Sequence, residues 1–118
     1  MTAVLAVVTV VAGGFLGGLG RWALAKIPGE FVGTWTANMV ACVILGVAIT
    51  GPGIVPLALG TGCAGALSTW STLAKQFGEL VLARRWTMLA TYFVATMAVG
   101  MVAAWRGTIW GARIWGYL

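Results

Sequence analysis

What most limits this chain is a run of four apolar stretches, at about residues 3–25, 32–50, 56–82 and 87–105, joined by very short links. A helix needs about 20 apolar residues to cross about 30 Å of hydrocarbon. Four crossings take up most of the 118 residues and leave room for one domain. Charge agrees with that reading: 8% of the residues are charged, where a soluble domain carries about 25%. Such a surface cannot be coated for water. The expected fold is all-α, a multi-pass protein of the plasma membrane with a single transmembrane domain over residues 1–118.

The polar interruptions refine this picture. The first stretch starts at Met1-Thr2-Ala3-Val4 without a basic leader and is too long for a signal peptide, so it reads as a true span. Its pairs Gly13/Gly17 and Gly14/Gly18 have the four-residue spacing that lets another helix approach closely. Pro28-Gly29 and Gly51-Pro52-Gly53 break the chain between stretches. The third stretch, 27 residues from Pro56 to Leu82, would reach about 40 Å as one helix. Its middle, Gly60-Thr61-Gly62-Cys63-Ala64-Gly65-Ala66-Leu67-Ser68-Thr69-Trp70-Ser71-Thr72, is poor material for a lipid-facing helix. A break near Gly65–Ser68 is expected, in place of a continuous helix whose hydroxyls bond back to its own carbonyls. Residues 106–118, with Trp110, Arg113 and Trp115, read as an interfacial tail on the membrane surface. Six of the seven tryptophans fall near segment ends, as an aromatic belt requires; Trp70 does not. Cys42 and Cys63 lie within apolar runs and read as small packing residues.

Available chemistry is sparse. There is no histidine, and Glu30 and Glu79 are the only acids, so paired-carboxylate and Ser-His-Asp catalysis have no material and the chain is not expected to be an enzyme. The net charge of +5 is unevenly placed. Arg21, Lys26, Lys75, Arg84 and Arg85 fall on the side of the two inner links, and only Arg106 and Arg113 on the side of the termini. The positive-inside rule puts the links in the cytoplasm and the termini outside. The basic excess thus belongs to topology and lipid headgroups, and no nucleic-acid partner is expected. Asn38, Ser68, Thr69, Ser71, Thr72, Tyr92 and Thr96 remain as hydrogen-bond donors within the apolar stretches. Donors of this kind suit a small anion shedding its hydration shell. They equally suit bonding between helices, at about 0.6 kcal/mol each.

Three segments, in order, resemble the signature stretches of the Fluc/CrcB fluoride channels. Gly13-Gly14-Phe15-Leu16-Gly17-Gly18-Leu19-Gly20-Arg21-Trp22 resembles that family's Gly-Gly-x-x-Gly-x-x-x-Arg-aromatic stretch, shifted by one at the arginine. Gly33-Thr34-Trp35-Thr36-Ala37-Asn38 resembles its Gly-Thr-x-x-x-Asn pattern. The run Gly62 to Leu73 resembles its Gly-x-x-Gly-Gly-x-Thr-Thr-Phe-Ser-Thr-Phe core, and Tyr92 with Thr96 matches a Tyr-x-x-x-Ser in the fourth helix. The resemblance implies an antiparallel, dual-topology dimer of four-helix subunits that passes fluoride passively through pores at the subunit interface. By the same resemblance Gly65 and Ser68 offer backbone carbonyls to a structural Na⁺ at the dimer centre. Asn38, Trp70, Ser71, Thr72, Leu73, Tyr92 and Thr96 would then line the anion path, with Arg21 drawing anions into the vestibule and Thr34 in the same region.

The departures also carry information. Trp70 and Leu73 stand where the family has phenylalanines, Ala66 where it has a glycine, Ser68 where it has a threonine and Gln76 where it has a glutamate. Leu73 offers neither a donor nor an aromatic edge, which leaves two arrangements open: a homodimer, or a heterodimer with a related subunit of opposite orientation. Two other functions compete with a pore. A small multidrug-resistance exporter would need an acid in the first helix, and residues 3–25 have none. A non-conducting assembly subunit is compatible with Trp70 and Leu73.

Overall fold

The computed structural model describes residues 2–116. It contains α1 (Ala3–Leu24), α2 (Val32–Ile49), a π-helical stretch (Pro56–Ala64), α3 (Gly65–Leu67), α4 (Trp70–Leu82) and α5 (Trp86–Ile114), and no strand among the described residues. Helices α1, α2 and α5 are each long and apolar enough to cross a membrane. Their exteriors are the inverse of a soluble protein's. Val4, Val8, Val11 and Phe15 form an exposed stripe along α1, and Val94, Met101 and Trp105 are exposed on α5. Such a surface is at ease in hydrocarbon, where only structures that satisfy their own backbone polar groups can stand.

Glycines set how closely the helices approach. A Cβ on Gly13 would run into the Ala58 carbonyl oxygen, and one on Gly17 into that of Cys63. The expected close contact therefore exists, between α1 and the π-helical stretch. Of the second pair, a Cβ on Gly14 would meet only the Gly62 carbonyl oxygen, at 3.8 Å, and one on Gly18 would meet nothing within 4 Å.

The third segment is broken, as its glycines and hydroxyls suggest, but the break falls slightly later than its expected start. Gly65 keeps helical angles (φ −61°, ψ −40°), and the chain becomes extended at Ser68 (ψ 153°) and Thr69 (ψ 94°). The π winding upstream was not legible. Gly65 N–H donates to the Gly60 carbonyl five residues back, and π turns of this kind often sit beside functional sites.

The last helix differs more from expectation. Residues beyond 105 do not form a separate surface tail; α5 continues to Ile114 as one helix of 29 residues. Its end is held against α2. Gly107 lies against the Val43 carbonyl and Gly46, Gly111 against Val47 and Thr50, and the Trp115 indole donates to the Val47 carbonyl at 3.0 Å. Two small residues four apart thus let α5 follow α2 to its end, the same spacing that Gly13 and Gly17 have in α1. Tyr117 and Leu118 of the expected tail lie outside the described residues.

Between α4 and α5 the chain turns within three residues. Arg84 adopts φ 54°, and Arg85 N–H reaches back to the Leu80 carbonyl at 3.0 Å, a helix-ending geometry that normally favours glycine. This turn brings the Arg85 guanidinium onto both carboxylate oxygens of Glu30, in the link between α1 and α2. The bond to Arg85 holds the Glu30 carboxyl below its ordinary range.

Two predictions follow from this packing. Gly13→Ala or Gly17→Ala should destabilise the fold by about 1–3 kcal/mol through overpacking, whereas Gly18→Ala, in open space within the helix, should stabilise it by up to about 1 kcal/mol; thermal unfolding in detergent measures the difference. Because Glu30 is depressed in the folded state, its stabilisation is fully present above the ordinary carboxylate range and is lost as pH falls through the lowered value. Glu30→Gln should therefore flatten the acid limb of melting temperature against pH.

Candidate functional site

Asn38 sits within α2 and points its amide oxygen at the break. Its Oδ1 accepts the Thr69 N–H at 2.8 Å. In an unbroken helix that N–H would bond the Gly65 carbonyl, four residues back. Thr69 also caps α4, because its Oγ1 accepts the Thr72 N–H at 3.3 Å. In an unbroken helix that second N–H would serve the Ser68 carbonyl. Side chains have thus taken both donors, and the carbonyls of Gly65 and Ser68 lose their helical partners. Gly65 O keeps one long contact of 3.4 Å from the Ser68 hydroxyl. Freed carbonyls at a broken helix are natural ligands for Na⁺, so the residues present fit that ion.

Arg21 approaches Thr69 from the other side. Its guanidinium donates to Thr69 Oγ1 at 2.8 Å and to Thr72 Oγ1 at 3.1 Å. The charge at the end of α1 is therefore tied to the first turn of α4. Thr69 is 5% exposed, and its N–H and Oγ1 both have partners. The sequence marks it as one donor among several; a threonine directly ahead of an amphipathic helix, the residue type an N-cap favours, is the available signal.

A second polar chain crosses three helices. Gln76 Nε2 donates to Thr34 Oγ1 at 3.1 Å, and the Tyr92 hydroxyl donates to Gln76 Oε1 at 2.5 Å. Gln76 links two expected site residues that share no element, and it was not itself among them. Around Tyr92 lies an aromatic cluster: the Phe31 ring stacks at 4.9 Å between centroids, and the Phe77 ring meets it edge-on at 5.2 Å. Leu73, Leu80, Trp35 and Leu89 complete it.

An open groove of about 500 Å³ runs beside the break, with walls from α2, the third segment and α5. Asn38, Gly65, Ser68, Trp70, Leu73 and Thr96 all contribute to it, in otherwise apolar surroundings. The Thr96 Oγ1 is buried and has no hydrogen-bond partner. Asn38 spends its oxygen on Thr69, so its NH₂ remains as a donor. No acid enters the groove: Glu30 pairs with Arg85, and Glu79 lies 3.8 Å from Lys75 on the exposed side of α4.

Most of the residues expected at the site gather near the break, in two groups. Asn38, Trp70, Leu73 and Thr96, with Gly65 and Ser68, border the groove, while Thr34 and Tyr92 belong to the Gln76 chain. Leu73 belongs to both the groove wall and the aromatic cluster and is 5% exposed. Arg21 and Thr72 lie on the other side of Thr69, and Ser71 is exposed on α4 outside both groups. Trp70 is 81% exposed, leaving its indole on the open side of the groove.

Comparison with known proteins agrees with this architecture. The family described as "CrcB-like protein, Camphor Resistance (CrcB)" matches residues 8–108. The chain is 55% identical over 92 residues to "Fluoride-specific ion channel FluC 2" of Corynebacterium diphtheriae, covering 78% of this chain and 88% of that one. It is 33% identical to "Fluoride-specific ion channel FluC 1" of Geobacillus kaustophilus, covering 83% and 90%. With "Fluoride-specific ion channel FluC 2" of Rhodococcus jostii it shares 34% identity over 87% and 96%. The chain belongs to the CrcB family and is a multi-pass membrane protein.

Replacing Asn38 tests the geometry of the break. Asn38→Ala leaves the Thr69 N–H without its acceptor, at a cost of about 1–3 kcal/mol. Thermal unfolding in detergent should show that loss, and Asn38→Asp, which keeps the acceptor, should recover part of it.

Proposed function

We propose that this chain is a subunit of a fluoride channel, passing the ion down its gradient with no chemical step. The observation that carries this reading is the pair of unspent donors, the Thr96 hydroxyl and the Asn38 NH₂, in a groove without an acid. A donor buried with no partner costs about 1–3 kcal/mol. A small anion that sheds water at the groove recovers that cost. Neutral donors also hold the ion less tightly than a fixed cation would, so it can leave again. The relatives named fluoride-specific channels support the choice of ion.

The groove is open on one side, and we assign its cover to a second subunit in antiparallel orientation, either another copy or a related chain. The basic bias of the links favours one fixed orientation, with those links cytoplasmic, and hence an unlike partner. Arg21, bonded to Thr69 and Thr72 on the side of the break away from the groove, would raise the local anion concentration there. Thr34 and Tyr92, joined through Gln76, Thr72 beside Arg21 and the exposed Ser71 would be polar groups that the anion meets outside the groove. Gly65 and Ser68 would hold Na⁺ through their carbonyls at the subunit contact, and the ion would supply a fixed positive charge there.

Fluoride efflux from liposomes tests this. The chain, alone or with a related subunit, should release fluoride and retain chloride, and Thr96→Val should slow release about tenfold, the scale of one hydrogen bond to a charged group. No fluoride release in either arrangement overturns the reading. Release by the chain alone excludes an obligatory unlike partner.

A further inference from the structure

Among the described residues only two buried side-chain polar atoms lack a partner: Thr96 Oγ1 and the Trp35 indole Nε1. The first borders the groove and is absorbed by the function above. The second is not, and a buried polar group left unpaired calls for a cause. Trp35 packs into the cluster of Leu73, Leu80 and Tyr92. Thr34 precedes it and bonds Gln76, and Asn38 lies three residues on, on the same helix face. Leu73 joins the two regions, since it forms part of the groove wall and also packs in the cluster that holds Trp35.

We propose that the Trp35 indole N–H is a further anion-positioning donor, which takes a small hard anion beside Leu73, the residue that the groove wall shares with the Trp35 cluster. The proposal rests on the channel reading above and adds a residue to it. An indole is donor only, so it can pair with an anion and has nothing to offer a cation at that atom. The neighbouring groups leave this role to it. Tyr92 directs its proton to Gln76, and Gln76 directs one N–H to Thr34. Leu73 supplies no donor at all. Trp35 thus contributes, from α2, a donor that α4 lacks at position 73.

The experiment uses the full chain with ¹⁵N-labelled tryptophan in detergent, the Trp35 indole signal being assigned by its loss in Trp35→Phe or Trp35→Tyr. Sodium fluoride should shift that signal in a saturable way, and sodium chloride should not. In liposomes that conduct fluoride, Trp35→Phe should slow release about tenfold, the scale of one charge-assisted hydrogen bond. An unmoved Trp35 signal overturns the inference, whether or not the vesicles conduct. Conduction unchanged in Trp35→Phe overturns it too. Vesicles that never conduct, with the signal still moved by fluoride, overturn the channel reading and leave the anion site standing.

Discussion

One hydrogen bond organises the centre of this protein: Asn38 Oδ1 to the Thr69 N–H. A helix in hydrocarbon cannot stop partway without satisfying the backbone groups it releases. Asn38 meets that demand from a neighbouring helix, which permits the third segment to end at Leu67 and restart at Trp70. Everything polar near the break depends on this substitution of side chain for backbone. The same bond frees the Gly65 carbonyl and leaves Asn38 with only its NH₂ unspent, while Thr69, capping α4 through its Oγ1, frees that of Ser68.

Charge is arranged by the same economy. Both acids are matched with cations near helix ends, Glu30 with Arg85 and Glu79 with Lys75, and Arg21 is held by two hydroxyls rather than by a carboxylate. What faces the groove is therefore neutral. In a medium of low dielectric, a single fixed charge there would dominate every other interaction. Without one, recognition falls to hydrogen bonds, whose strength changes steeply with distance and angle. Position then decides what fits.

The sequence made much of this legible where a residue type has one dominant physical use. Long apolar stretches gave the spans, Gly13 and Gly17 the tight approach of α1, and the glycine and hydroxyl run around Gly65–Thr72 the interruption. It was least legible where the partner decides. Gln76 reads as an ordinary polar residue until Thr34 and Tyr92 are seen on either side of it. Trp35 looks like one more aromatic near a helix end, and only its packed neighbours reveal an unpaired N–H. The end of α5 was misread because Trp110, Arg113 and Trp115 have the composition of a surface anchor. Gly107 and Gly111, which dock that end on α2, acquire meaning only beside Val43 and Val47.

The π-helical stretch has a consequence for how such a chain can change. Its bonds close over five residues where an α-helix closes over four. Loss of one residue between Pro56 and Ala64 can therefore be absorbed by rewinding this stretch as α-helix. Segments on either side would keep their facing, and the break at Ser68–Thr69 would stay opposite Asn38. That slack is not free, because Ala58 and Cys63 lie within the stretch and carry its close contact with Gly13 and Gly17.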